Sequence, residues 1–176
     1  MGQDAVAEDA LVNPSRSTSR PSAMSGAPAE PSVGVLDRVA IEALLPHRAP
    51  MLLVDQVELT LGDDGQPLAI GQYTVKGDEF FLQGHFPGNP VVPGVMLCEM
   101  MGQSACVLLG DAAAGKTPFF TGMDKVRFRK PVLPGDTVVF KVSLTRAKAP
   151  FYFVSGQGLV AGKLRVSAEL SFALVG

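Results

Sequence analysis

One histidine, one carboxylate and one helix start carry the chemistry of this chain. His85 lies in Gly84-His85-Phe86-Pro87-Gly88-Asn89-Pro90, between a glycine and a Phe-Pro-Gly turn that pins the backbone and aims the ring, with Phe86 beside it. An imidazole titrates at about 6.5, so it can accept a proton at neutral pH. A lone loop histidine is also a common structural hydrogen-bonding group. Glu99 is the only acid between Val91 and Leu109, and burying it unpaired would cost several kcal/mol. Glu99, Gly102, Gln103 and Cys106 fall at i, i+3, i+4 and i+7 of a helix. Such a small-or-polar stripe either faces water or sets Gln103 one turn on, where its amide can orient the carboxylate or a bound water. Pro93-Gly94 suits a first helical turn, whose free N–H groups and positive end favour a developing oxyanion.

Loss of water from a 3-hydroxyacyl thioester needs three groups. A base takes the proton next to the carbonyl, a donor holds enolate-like charge, and an acid helps a poor hydroxide leaving group depart. His85, the N–H of Gly94 and Glu99 fit these roles in turn. A carboxyl in an apolar tunnel favours its protonated form, as general-acid work requires. Two readings of Glu99 stand at this level: direct proton donor, or holder of a water while His85 serves both steps. Two rival activities use the same parts: a thioesterase, whose carboxylate activates water against the carbonyl, and an acyl-thioester-binding module without catalysis.

The elements that must position these groups are legible in outline. Gly94 to Leu109 is apolar on nearly every face, so a helix there is buried on most sides, usually by a sheet curled around it. A short helix over Ile41 to Leu45 ends before Pro46. Strands are expected over Met51–Thr60, Leu68–Val75, Phe119–Arg129, Thr137–Arg146, Phe151–Val160 and Leu164–Leu174. Val138, Phe140, Val142 and Leu144 alternate with Val139, Lys141, Ser143 and Thr145, and the last strand alternates likewise, so these strands have one wet face. Pro134-Gly135-Asp136 and Ala161-Gly162-Lys163 make tight turns between antiparallel neighbours. The expected fold is α+β, a mostly antiparallel sheet of about six strands around a long central helix.

Residues 1–34 are rich in Ala, Ser, Pro and Gly without periodicity and read as a disordered tail. Residues 35–176 read as one domain. Hydrophobic residues make up 47% and charged residues 18% of the chain, a composition suited to burying some surface against a partner subunit or ligand. The net charge of -2 argues against general nucleic-acid binding. No apolar run is long enough to span a membrane, and the start of the chain lacks a secretory signal, so a cytoplasmic protein is expected. Cys98 and Cys106 lie about 12 Å apart along the helix and cannot pair with each other.

His47 is read as structural, and with two histidines in the chain no metal site is expected. Lys125, Arg127 and Arg129 alternate onto one strand face, with Lys130 just beyond. That row is either a solvated face or a docking patch for an acidic carrier protein. Phe80, Phe81, Phe86, Phe119 and Phe120 can line an acyl tunnel or pack the core.

Three segments together resemble a known family. They are Leu45-Pro46-His47-Arg48-Ala49-Pro50-Met51-Leu52-Leu53-Val54-Asp55, the block from Gly84 to Gln103, and Asp124-Lys125-Val126-Arg127-Phe128-Arg129-Lys130-Pro131-Val132-Leu133-Pro134-Gly135-Asp136. Their order and spacing are similar to those of bacterial (3R)-hydroxyacyl-[acyl-carrier-protein] dehydratases of type II fatty acid synthesis. The resemblance implies a hot-dog fold, no cofactor, an acyl-carrier-protein substrate, and a homodimer with active sites at the subunit interface, often as a trimer of dimers. It implies that His85 is the catalytic histidine, that Glu99 is the catalytic acid supplied by the other subunit, and that the Gly94 N–H faces the thioester carbonyl. A sister branch that also isomerises the product carries Asp where Glu99 stands, which favours the plain dehydratase.

Overall fold

The computed structural model describes residues 33–176. The expected tail therefore lies outside the described residues except for Val33 and Gly34. Gly34 already opens β1 (Gly34–Leu36), one residue ahead of the expected domain start. Asp37 caps α1 (Arg38–Leu44), its side chain accepting the Ala40 N–H at 2.9 Å, and the helix stops two residues short of Pro46. The hairpin β2 (Gln56–Leu61) and β3 (Pro67–Thr74) follows, then the Gly/Pro-rich loop, then α2 (Gly94–Leu108). Four strands complete the chain: β4 (Thr117–Phe128), β5 (Thr137–Lys148), β6 (Phe151–Val160) and β7 (Lys163–Val175).

The seven strands of the described residues form one antiparallel sheet in the order β1-β2-β3-β5-β6-β7-β4. The sheet holds one strand more than the sequence pattern predicts, because three-residue β1 is too short to show a period. α2 crosses its inner face. Ser104 sits against Gly71 of β3 and Met101 against Gly156 of β6, so closely that a Cβ at either glycine would collide. Every residue from Met100 to Leu108 is buried, as an all-apolar helix requires. Val138, Phe140 and Val142 of β5, and Val166, Leu170 and Phe172 of β7, are buried against it, so the predicted alternation is the observed one.

Two sequence expectations fail for physical reasons. Met51–Asp55 is not strand. The Met51 carbonyl and the Leu53 N–H bond to the Gln103 side chain, at 2.7 and 2.8 Å, so both groups are taken before any ladder can form. The turn at Pro134-Gly135-Asp136 does not join paired neighbours either. β4 pairs with β7 and β5 with β3, and the turn is knitted onto the end of β3 through Val75 N–H to the Asp136 carbonyl (3.0 Å) and Gly135 N–H to the Val75 carbonyl (2.7 Å). Residues 129–136 must therefore cross from the β4 edge to β3. They pass the start of α2, where the Val92 N–H donates to the Val132 carbonyl at 2.9 Å.

Candidate active site

His85 is held by its own loop. Its N–H donates to the Leu82 carbonyl (3.1 Å), its carbonyl accepts from Val91 N–H (2.9 Å), and Phe86 and Asn89 exchange backbone bonds across the turn. Phe86 stacks on the imidazole with centroids 4.1 Å apart. Nδ1 lies 2.8 Å from the Val91 carbonyl, an acceptor only. The proton of a neutral ring therefore sits on Nδ1, and the Nε2 lone pair is left free to act as a base.

The same cleft holds the start of α2. It encloses about 540 Å³ and is lined by His85, Pro93, Gly94, Phe128, Arg129 and Lys130 among others. Pro93 is the N-cap and contributes no side-chain bond. Among the described residues the Gly94 N–H donates to no acceptor. A free donor at the positive end of a 15-residue helix is suited to an oxyanion.

Glu99 sits elsewhere. It is five residues beyond Gly94, about 140° around the helix and about 7.5 Å along it. It lines a separate pocket of about 40 Å³ with His47, Gly102, Gln103, Cys106, Pro118, Phe120 and Phe172. The two cavities share no lining residue. One chain brings His85 to Gly94, and Glu99 to Gln103, but leaves the two pairs apart.

Gln103 is 1% exposed, so the stripe it shares with Glu99 does not face water. Its Oε1 accepts the Leu53 N–H, and its amide nitrogen donates to the Met51 carbonyl and, at 2.8 Å, to Glu99 Oε1. Every bond fixes the amide's orientation, and the amide in turn fixes the carboxylate. Cys106, one turn further, is pushed up to about 12 by burial first and by the Glu99 charge second, so it stays a thiol. His47, read from the sequence as structural, also lines this pocket. Its Nε2 lies 3.5 Å from Glu99 Oε1. The only sequence signal was its place in the Leu-Pro-His-Arg segment.

The basic row is less regular than alternation predicts. A bulge between Asp124 and Arg127 puts Lys125 at φ 50°, and its Nζ meets Glu169 at 2.8 Å. Arg129 and Lys130 lie beyond β4, at the His85 cleft. Of the five phenylalanines, Phe81 packs in the core, Phe86 covers His85 and Phe120 walls the Glu99 pocket. Among the described residues no three His, Cys, Asp or Glu side chains gather as metal ligands, and no helix is long and apolar enough to cross a membrane.

The family described as FabA-like domain matches residues 45–169, a span that contains the whole lining of the His85 cleft and all of the Glu99 pocket except Phe172. The chain is 44% identical over 141 residues to a 3-hydroxyacyl-[acyl-carrier-protein] dehydratase FabZ of Desulfotalea psychrophila, covering 78% of this chain and 92% of that protein. It is also 44% identical to the FabZ of Oenococcus oeni, covering 76% and 96%. Among solved structures it is similar to a chain of the dehydratase heterocomplex ApeI:P from Xenorhabdus doucetiae, with a TM-score of 0.65, 25% identity and 77% and 91% coverage. A probable thioesterase from Bartonella henselae shares the fold, with a TM-score of 0.50 at 18% identity, covering 62% of this chain and 90% of that one. A sheet wrapped on a central helix, a family match across most of the chain and identity of this extent to dehydratases agree: the chain belongs to the FabA-like domain family, with the FabZ 3-hydroxyacyl-[acyl-carrier-protein] dehydratases among its relatives.

Proposed function

We propose that this chain removes water from (3R)-3-hydroxyacyl groups on acyl carrier protein, giving trans-2-enoyl thioesters in fatty acid biosynthesis. The observation that carries this reading is the His85 ring beside the unpartnered Gly94 N–H, with Nδ1 committed to the Val91 carbonyl. The thioester oxygen accepts from the Gly94 N–H, which acidifies the neighbouring C–H. Nε2 of His85 takes that proton. As the enolate-like charge returns, the 3-hydroxyl leaves as water with a proton delivered by Glu99 or by a water that Glu99 holds. No cofactor takes part in this scheme.

Because Gly94 and Glu99 point about 140° apart on one helix, we assign the acid to Glu99 of the partner subunit. Support for a homodimer comes from β4, an edge strand with exposed Phe119, Phe120, Met123 and Phe128. Such an edge is a template for pairing with a second copy. A trimer of dimers is the larger assembly we propose. Arg127, Arg129 and Lys130, with Lys125, form the docking face for the acidic carrier, in the cytoplasm. The dehydratase is a single domain over 35–176, preceded by a tail.

Incubation with a 3-hydroxybutyryl thioester, following enoyl absorbance and free thiol together, tests the activity. Enoyl product without thiol is expected. Thiol without enoyl would mean hydrolysis, and neither signal would mean a binding module.

A further inference from the structure

We propose that His47 is a positioning residue for Glu99, holding Oε1 together with Gln103 so that Oε2 carries the reacting proton or water. The inference rests on the role given to Glu99 above. His47 Nε2 and Gln103 Nε2 approach the same oxygen, at 3.5 and 2.8 Å. The Gln103 hydrogen bond and the approaching His47 ring both lie at Oε1, while Oε2 has no partner among the described residues, which breaks the equivalence of the two oxygens.

The ring has no other polar employment. Its Nδ1 is buried without a hydrogen-bond partner among the described residues, a costly state for an imidazole that served only packing. Burial holds His47 below the usual imidazole range, against the opposing pull of the Glu99 charge, so the ring is neutral near pH 7. A neutral ring beside a carboxylate places its single proton on Nε2. The His47 and Glu99 side chains are 20% and 21% exposed, so water competes little for the contact.

Position and orientation are both fixed. Arg48 Nη1 donates to the carbonyls of Leu45 and His47, at 2.8 and 2.7 Å, closing the turn that presents the ring. The amide of Gln103 clamps Met51 and Leu53 on the other side of the same loop. From α2, the other titratable group at the pocket is the un-ionised Cys106 thiol; β4 and β7 supply only Pro118, Phe120 and Phe172. Among the described residues only His47 and Gln103 bring polar nitrogens to the carboxylate.

The test compares wild type, His47→Ala, His47→Gln and Glu99→Gln in the full chain, using the 3-hydroxybutyryl thioester. His47→Ala is expected to lower kcat by about tenfold to a hundredfold with little change in KM. The limb of the kcat–pH profile that reports Glu99 should move to higher pH, because a lost donor favours the neutral carboxyl. His47→Gln, whose amide nitrogen reaches the Nε2 position, should recover most of both. Unchanged kcat and pH profile in His47→Ala would overturn the inference, as would equal losses in both variants with lowered melting temperatures and an unmoved limb. Imidazole NMR supplies a readout independent of turnover: a wild-type Nε2–H tautomer whose titration drops in Glu99→Gln is expected, and identical titrations would refute the contact alone. Absence of enoyl product from wild type would sink the dehydratase reading and this role with it.

Discussion

The ring of Phe128 rests on Gly94, where a Cβ would stand 2.7 Å from two of the ring carbons. The helix start is thus roofed by a side chain of the edge strand, and only glycine leaves room for both the ring and a substrate oxygen at the N–H. Gly94→Ala should overpack this contact at a cost of about 1–3 kcal/mol and lower kcat by about a hundredfold, because the added methyl displaces the substrate oxygen from an N–H that alanine retains. Phe128→Ala in the same chain should return stability but not rate. Urea melts and steady-state kinetics on the three variants check this.

Gln103 joins the loop at Met51–Leu53 to the acid. Replacing it by Leu leaves the buried Leu53 N–H without an acceptor, at about 1–3 kcal/mol, and frees the Glu99 carboxylate to rotate. We expect a lower melting temperature and a lower kcat together. Gln103→Glu should be worse for rate than Gln103→Leu, since it sets two carboxyls against each other. Calorimetry and turnover on both variants are the measurements.

A site shared between subunits has a diagnostic outcome. His85→Ala and Glu99→Gln should each be nearly inactive and normally folded. Co-refolded in equal amounts, they should regain about a quarter of wild-type sites, because half the dimers carry one intact site of two. No recovery on mixing would place both groups in one chain.

The basic face can be separated from the chemistry. Charge reversal at Arg127 and Arg129 should raise KM for carrier-bound substrate and leave KM for a small thioester unchanged, more visibly at low salt. Equal effects on both substrates would remove the docking role. Lys125 is the least informative position of the row, because Glu169 already pairs with it.

The helix, the last three strands, and the wet and dry faces of the first and last of those three were legible because hydrophobic period alone sets them. Loop 51–55 was not, since its apolar residues Leu52, Leu53 and Val54 are buried by side-chain bonds from Gln103 that no local pattern reveals. The edge position of β4 was hidden for a similar reason: a turn sequence reports reversal of the chain, and which strand lies alongside is decided by how the sheet curls on α2. Of the candidate residues, His85, Gly94 and Glu99 stood out by type and spacing. His47 did not, because its meaning depends on a contact spanning 52 residues of sequence.

The strand order also governs how the protein is made. β4 leaves the ribosome before β5, β6 and β7, yet its one sheet partner is β7. Until the last strand emerges, a segment holding Phe119, Phe120, Met123 and Phe128 waits with both edges open, the condition that invites aggregation of nascent chains. Asp124, Lys125 and Arg127 interrupt that segment with charge, and Arg129 follows it. These charges act as gatekeepers during synthesis.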